Sequence, residues 1–258
     1  MMLASLVLSD ARFPGGGHVH SGGLEEAAER GLVTDLTSLH AFLRGRLRTA
    51  GRVAACAAAA AADRAARAHP VPAGPVPAGP GPAGGDGDGD GPAERRWFVA
   101  TADWAALDAA LDARTPSAAQ REASRAQGRA SLRAVRAAWP SPVLGALLTA
   151  HPRPHHPLLT GAVVGATGEP PSAAARCVAY LAVSGPASAA VRLLGLDPFA
   201  VNAAIVALGD DLAAVVDEAA ALAAGPPEDL PAPGAPVLDL MAESHVHHHR
   251  ERVRLFAS

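Results

Sequence analysis

The sequence predicts an all-α protein, folded as a single-domain bundle of about ten helices. Alanine, the residue with the highest helix propensity, is abundant, and aromatic residues make up only 3% of the chain. Drift in a GC-rich genome accounts for this composition equally well. Three capping side chains are each followed by proline, which favours the first helical position, at Thr115, Ser141 and Asp197. No stretch shows the sustained alternation of apolar and polar residues that is typical of a strand.

Apolar residues recur at helical spacing along most of the chain. Two of these apolar faces are formed by Leu36, Leu39, Leu43 and Leu47, after a cap at Asp35, and by Trp104, Leu107 and Leu111. We therefore predict helices over 24–30, 35–68, 96–113, 117–138, 142–150, 157–168, 171–185, 187–195, 198–208 and 210–224.

Two segments do not fit the helical pattern. Residues 70–92 are rich in Pro and Gly, which interrupt helices and bury little apolar surface, so we expect a disordered loop inside the domain 1–258. An Asp-x-Asp-x-Asp-Gly pattern begins at Asp86, but Trp97 stands where an EF-hand needs its bidentate Glu, so calcium binding is not expected. Residues 226–258 are expected to form a flexible tail, extended up to Pro236, that docks on a partner.

Charge and cysteine content limit the partners and the compartment. The formal net charge of −3 gives no basic surface for nucleic acid, so no nucleic-acid partner is expected. Cys56 and Cys177 are far apart and form no C-x-x-C pair, which fits a reducing compartment. The apolar stretches 1–8 and 53–62 are too short to cross a membrane. We expect a cytoplasmic protein with no membrane partner.

The glycine-rich run from Asp10 to Glu26 requires a separate interpretation. It is not a phosphate-binding loop, because no Gly-Lys-Ser/Thr follows the glycines. A hydrolase built on Ser21 would need a glycine two positions before that serine, and none is there. The residues themselves favour a turn, with Phe13 and Pro14 buried and with His20 and Ser21 satisfying backbone groups at the start of the next helix.

The spacing of this run resembles that of the UreF family of urease accessory proteins. The family pattern D-S/A-x-F-P-x-G-x-x-x-H-S-x-G-L-E is matched by Asp10, Ala11, Phe13, Pro14, Gly16, His20, Ser21, Gly23, Leu24 and Glu25. Further matches lie at Leu111-Asp-Ala-Arg114, Arg121-Glu-Ala-Ser124, Gln127-Gly-Arg129, His156-Pro157 and Leu255-Phe256-Ala257-Ser258. Apart from residues 70–92, the resemblance covers nearly the whole chain.

The resemblance implies a scaffold for nickel insertion into urease, with no catalytic residue and no cofactor of its own. Members of the family dimerise, bind UreD (UreH in some bacteria), and recruit the nickel-carrying GTPase UreG to activate the urease apoprotein. The resemblance also implies that Arg176 and Tyr180 lie one helical turn apart on the dimer face. It places Arg254, Leu255 and Phe256 in a terminal motif that becomes ordered when the UreD-type partner binds.

Two functions of other classes stay open from the sequence. One is a stand-alone nickel- or zinc-binding protein, since neutral imidazoles bind such ions. Its ligands would come from His18 and His20 and from the weak candidates of the tail, His245, His247, His248 and His249. Four histidines on a flexible tail do not form a preorganised site. The other is the hydrolase built on Ser21.

Overall fold

The computed structural model describes residues 3–15, 21–68 and 102–255, and gives the backbone alone at 102–103 and 248–255. Within these ranges it contains helices and no strand, which confirms the predicted all-α class. In chain order the α-helices are α1 (Ala4–Ser9), α2 (Leu24–Glu29), α3 (Leu36–Arg46), α4 (Arg52–Arg67), α5 (Ala102–Ala113), α6 (Ala118–Ala138), α7 (Pro142–Ala150), α8 (His156–Ala166), α9 (Pro171–Leu194), α10 (Pro198–Val206), α11 (Gly209–Leu222) and α12 (Pro236–Leu255).

The predicted helix over 35–68 is continuous, and its start has the expected cap. Asp35 accepts a hydrogen bond from the backbone N–H of Ser38 at 2.8 Å, and the Ser38 hydroxyl reaches back to the cap in a capping box. A π-helical segment over Leu47–Gly51 joins α3 to α4.

Two of the three predicted proline-linked caps are also confirmed. Ser141 and Asp197 both accept hydrogen bonds from the first backbone N–H groups of their helices. The prediction that Thr115 caps α6 was wrong. Ser117 performs that role and accepts from the N–H of Gln120 at 3.1 Å, while the Thr115 hydroxyl donates backwards into α5.

α9 is one helix, so the predicted division into 171–185 and 187–195 was wrong. Pro186 has no N–H and therefore leaves the carbonyl of Ala182 without its usual partner four residues on. The Nε–H of Arg46 donates to that carbonyl at 3.0 Å. A side chain from another helix thus satisfies the group that a proline would normally leave unpaired.

The core is centred on α4, whose alanine side chains are almost all buried. Because these side chains are small, α8 approaches α4 closely enough for backbones to meet at two glycines. A Cβ atom at Gly161 or Gly165 would lie well inside van der Waals contact with the carbonyl oxygens of Ala58 and Ala62 respectively. The α4–α8 contact therefore requires glycine at both positions.

α9 packs against α4, α8, α10 and α11 and completes this core. Of the described helices, α9 alone is long and apolar enough to cross a membrane by itself, and α10 with α11, bent by 46°, would be so only as one span. Buried core helices pass the same test. Both cysteines lie in these buried layers, Cys56 on α4 and Cys177 on α9. Burial raises the pKa of the Cys56 thiol to about 12 and that of Cys177 to about 11.

α12 was not predicted, because the expected tail showed little apolar pattern. The helix buries Met241 and packs the partly buried Leu238 against the core, and it also has polar anchors. The Glu243 carboxylate accepts from the Ser117 hydroxyl at 2.7 Å and from the Ala119 N–H at 2.9 Å, both at the start of α6. Of the segment expected to be extended, Pro227–Asp229 forms a short 3-10 helix. The predicted loop over 70–92 lies outside the described residues.

The N-terminal turn differs from its prediction in two respects. Pro14 is exposed, and only Phe13 is partly buried, with its ring centroid 6.4 Å from that of Trp139. No side chain caps α2. Gly23, with φ +93°, occupies the cap position, and the carbonyl of Ser21 accepts from the N–H of Leu24 at 3.2 Å. His18 and His20 lie outside the described residues.

Candidate interaction surfaces

α9 presents Arg176 and Tyr180 on its solvent side. The residues between them, Cys177 to Ala179, are buried, so the two exposed side chains lie one turn apart on the same face. The Tyr180 residue is 40% exposed. Arginine and tyrosine are enriched at the energetic centres of protein interfaces.

α1 packs against α9, and α1 together with the preceding Leu3 exposes three apolar side chains. The buried carboxylate of Glu169 accepts from the backbone N–H of Ala4 at 2.7 Å, which fixes the start of α1 beside the start of α9. Ser9, at the other end of α1, hydrogen-bonds to Cys177. We name the resulting surface the α1–α9 face; it consists of Leu3, Leu6, Val7, Arg176 and Tyr180, with Leu6 66% exposed.

A second apolar surface lies at the other end of α9. α10 is apolar apart from the exposed Asn202 and buries only Val201 fully. Phe199 and Val206 are seven residues apart and therefore on one side of the helix, where Phe199 is 84% exposed. With the exposed Leu193 they form what we name the α10 face.

The N-terminal turn is attached to α9 through Arg46. While its Nε–H donates to Ala182, an Nη1–H donates to the carbonyl of Gly22 at 2.7 Å. Gly22 has φ +63°, and a Cβ there would lie 2.9 Å from Pro186 Cγ and 3.0 Å from Arg46 Cζ. Glycine is thus needed at this position for both conformation and space.

A groove of about 320 Å³ lies beneath α12, and residues of α2, α6 and α9 line it. Its walls include Glu25, Arg46, Arg114, Gln127, His155 and His245. His245 faces the acidic start of α2, with Nε2 3.9 Å from Glu25 Oε2 and Nδ1 4.0 Å from Glu26 Oε2. α12 therefore brings an imidazole to two carboxylates at the edge of the groove.

A buried charge cluster adjoins the groove and joins α5, α6 and the start of α8. The Nη2 atom of Arg125 lies 2.7 Å from a carboxylate oxygen of both Asp108 and Asp112. The His155 ring, 1% exposed, bridges Asp112 (Nε2, 2.8 Å) and the Ser124 hydroxyl (Nδ1, 3.0 Å). No role was predicted for this cluster, although Asp108 and Asp112 have the spacing of residues on one helix face.

The protonation states of the cluster follow from its surroundings. Burial is the main cause that lowers the pKa of His155, and the hydrogen bond to Asp112 opposes it only in part. Burial acts to raise the pKa of Asp112, but hydrogen bonds from His155 and Arg125 outweigh it, so that pKa is lowered. The cluster therefore holds a neutral imidazole between a hydroxyl and a carboxylate.

This arrangement shares its connectivity with a Ser-His-Asp triad but lacks the rest of such a site. Ser124 lies in the middle of α6, where the backbone N–H groups are engaged in the helix and cannot form an oxyanion hole beside it. Asp108, Asp112 and His155 also have ligand atoms within 4.8 Å of one another, as a metal site would. The guanidinium of Arg125 already supplies the cation there. We interpret the cluster as structural.

Comparison with known proteins identifies the family. A model of the UreF family matches residues 33–209. The urease accessory protein UreF of Mycobacterium sp. (strain JLS) is 42% identical over 253 residues, which cover 98% of this chain and 97% of that protein. The UreF proteins of Mycobacterium marinum and Mycobacterium tuberculosis (strain CDC 1551 / Oshkosh) are 39% and 37% identical, each over 98% of this chain and 97% of the relative. This chain belongs to the UreF family.

The UreF-type interface residues fall into two groups. Arg176 and Tyr180 lie together on the α1–α9 face, exposed and one turn apart as predicted. Arg254 and Leu255 lie in the last turn of α12, where the structure gives the backbone alone, and Phe256 lies outside the described residues. Their roles at an interface stay predictions.

The histidines of the tail that were considered as metal ligands differ in how far the structure describes them. His245 and His247 lie on α12, and His245 faces the carboxylates of Glu25 and Glu26. His248 and His249 lie in the part of α12 where only the backbone is described. α12 therefore contributes the His245 imidazole to a carboxylate-lined edge. Metal binding by these residues stays a prediction.

Proposed function

We propose that this UreF-family chain acts as a cytoplasmic, non-catalytic scaffold for nickel insertion into urease. In this proposal it forms a homodimer, binds a UreD-type (UreH-type) partner, and recruits the GTPase UreG to the urease apoprotein. The chemistry of nickel delivery then belongs to the partners, and this chain positions them.

The observation that carries the proposal is the α1–α9 face. Leu3, Leu6 and Val7 expose apolar surface at α1, which packs against the helix that carries Arg176 and Tyr180. Burial of such side chains provides the main free energy of association. Glu169 holds α1 in place before any partner arrives, so little conformational entropy is lost when the face is covered. These properties support self-association through this surface.

The dimer is tested by replacing its proposed centre. We expect Arg176→Ala and Tyr180→Ala each to raise the dimer dissociation constant by about 10-fold or more, as truncation of interface arginine and tyrosine typically does. Analytical ultracentrifugation measures this constant. The matched control is Phe199→Ala, which removes an exposed aromatic ring from the α10 face and should leave dimerisation unchanged.

Recruitment of the GTPase is tested separately, by co-purification with UreD and UreG. Wild-type protein should form a complex of defined stoichiometry with both. Arg254→Ala should fold and dimerise normally but retain less UreG, because the terminal motif is proposed to present the surface that UreG uses. A variant that retains UreG as well as the wild type does would remove this role from Arg254.

A further inference from the structure

Arg46 differs from the neighbouring arginines in having no carboxylate partner among the described residues. Arg44 and Arg48 both pair with Asp211, and Arg52 pairs with Glu218. Within the described part of the chain, Arg46 donates to the backbone carbonyls of Gly22 and Ala182, which use two of its five N–H donors. Among the described residues, its positive charge is therefore held by carbonyl dipoles.

This charge lies in the wall of the groove beneath α12. Burial lowers the pKa of Arg46 to about 10, and no neighbouring carboxylate among the described residues opposes that effect. Three carboxylates line the same groove, and each faces a partner other than Arg46. Glu26 pairs with Arg30 at 2.7 Å, Glu25 faces His245 at 3.9 Å, and Asp239 accepts from the Gln120 amide at 3.1 Å. Residues 16–20, which precede the Gly22 turn, contain no Asp or Glu. Leaving a cation in such surroundings without a counter-charge is costly.

The rest of the groove has the lining of a small-molecule site. Ser21 and Gln127 contribute a hydroxyl and an amide, both able to donate hydrogen bonds to an oxygen anion. Val53, Leu181 and Leu238 contribute apolar walls. A volume of about 320 Å³ is within the range of small-ligand pockets.

We propose that the groove beneath α12 binds a small carboxylate anion that pairs with the guanidinium of Arg46. A planar carboxylate matches the two-pronged geometry of a guanidinium better than a spherical halide does. The short carbon chain of the ligand would lie against the apolar walls. This proposal concerns the isolated protein and is independent of the scaffold function.

The test is a thermal unfolding titration with acetate, at constant ionic strength maintained with chloride. Wild-type protein should show a saturable rise in Tm, because a ligand that binds only the folded state stabilises it. Arg46→Gln keeps a side-chain donor for one carbonyl but loses the charge, and its apparent affinity for acetate should fall at least 10-fold. The control Arg136→Gln makes the same charge change on the exposed side of α6 and should respond as the wild type does.

The proposal is overturned if acetate leaves the wild-type Tm unchanged, or if all three proteins respond equally. Should Arg46→Gln fail to fold, the comparison is made in a Pro186→Ala background, where the alanine introduced into α9 gives the Ala182 carbonyl a helical N–H partner. Saturation-transfer NMR provides a second measurement on wild-type protein alone. Transfer to acetate that a two-carbon alcohol does not show supports the site, and equal transfer to both refutes it.

Discussion

At the scale of single residues, Arg46 explains why proline is tolerated in the middle of α9. A proline inside a helix costs about 3 kcal/mol or more, partly because a carbonyl loses its hydrogen bond. Here that carbonyl, on Ala182, accepts from Arg46, which also holds Gly22. The helix break predicted at Pro186 was wrong because Arg46 replaces the hydrogen bond that the proline removes. Arg46 lies 136 positions from Ala182, so the local sequence cannot reveal this contact.

This coupling predicts non-additive stabilities. Arg46→Met should lower the free energy of unfolding by about 1–3 kcal/mol, the usual cost of leaving a buried acceptor without a partner. The same change in a Pro186→Ala background should cost about 1 kcal/mol less, because the introduced alanine supplies a backbone N–H to the Ala182 carbonyl. Urea unfolding of the four proteins in the cycle measures the difference. Equal costs in both backgrounds would show that the Ala182 contact contributes nothing.

The lowered pKa of His155 predicts that the stability of the protein depends on pH. Since burial lowers its pKa in the folded state below the ordinary 6.5, the unfolded chain binds a proton more readily. The stabilising contribution is therefore complete above pH 6.5 and is lost as the pH falls through the folded pKa, at a slope of at most about 1.4 kcal/mol per pH unit.

His155→Gln should show a shallower fall in unfolding free energy below pH 6.5, measured by urea unfolding at several pH values. The partly exposed His40 lies on α3, far along the chain from this cluster, and His40→Gln serves as the control. If the wild type and His155→Gln have parallel profiles, another group is responsible for the acid sensitivity.

At the scale of elements, local signals identified most helices, and tertiary contacts decided the others. Ser141 and Asp197 cap their helices as predicted, because capping depends on neighbours within one turn. α12 escaped prediction because its anchors include polar bonds such as those from Glu243 to the start of α6. Hydrophobic periodicity has no means of detecting such bonds. The buried cluster around Arg125 was missed for the same reason, since its partners come from three elements.

The α4–α8 contact predicts opposite effects for two glycines that both lie in helices. Gly165→Ala should destabilise the protein by about 1–3 kcal/mol or more, because its Cβ would collide with the backbone of Ala62. Gly145→Ala on α7 meets nothing within 4 Å and should be neutral or stabilise by up to about 1 kcal/mol. Thermal unfolding monitored by circular dichroism compares the two. A stable Gly165→Ala protein would mean that the helices can separate without cost.

At the scale of the whole molecule, the surfaces divide by role. The α1–α9 face and the α10 face lie towards opposite ends of α9, and the groove lies beneath α12. A scaffold that joins several proteins needs separate surfaces of this kind. The resemblance carried by the N-terminal run identified the family, yet the apolar side chains of α1 were not recognised as surface residues until the fold placed them beside Arg176.

The exposure of Leu6 predicts that its replacement weakens the dimer without destabilising the monomer. Leu6→Gln should change the free energy of unfolding of the monomer by less than about 0.5 kcal/mol, since the side chain is mostly exposed. The dimer should nevertheless dissociate about 10-fold more readily, because apolar area is lost from the α1–α9 face. Val206→Gln on the α10 face is the matched control. Urea unfolding measures the stability, and sedimentation velocity measures the dissociation constant of the dimer. Unchanged dimerisation in Leu6→Gln would restrict the interface to α9.

The burial of both thiols makes the protein easy to follow by chemical labelling. Cys56 and Cys177 are the only cysteines in the chain, and the raised pKa of each keeps it protonated at neutral pH. A maleimide should therefore react slowly with native molecules and rapidly once they open, so that its rate reports the opening of the core. A single cysteine introduced on the surface would be the fast-reacting thiol, and a dye attached there could follow assembly with other proteins in real time.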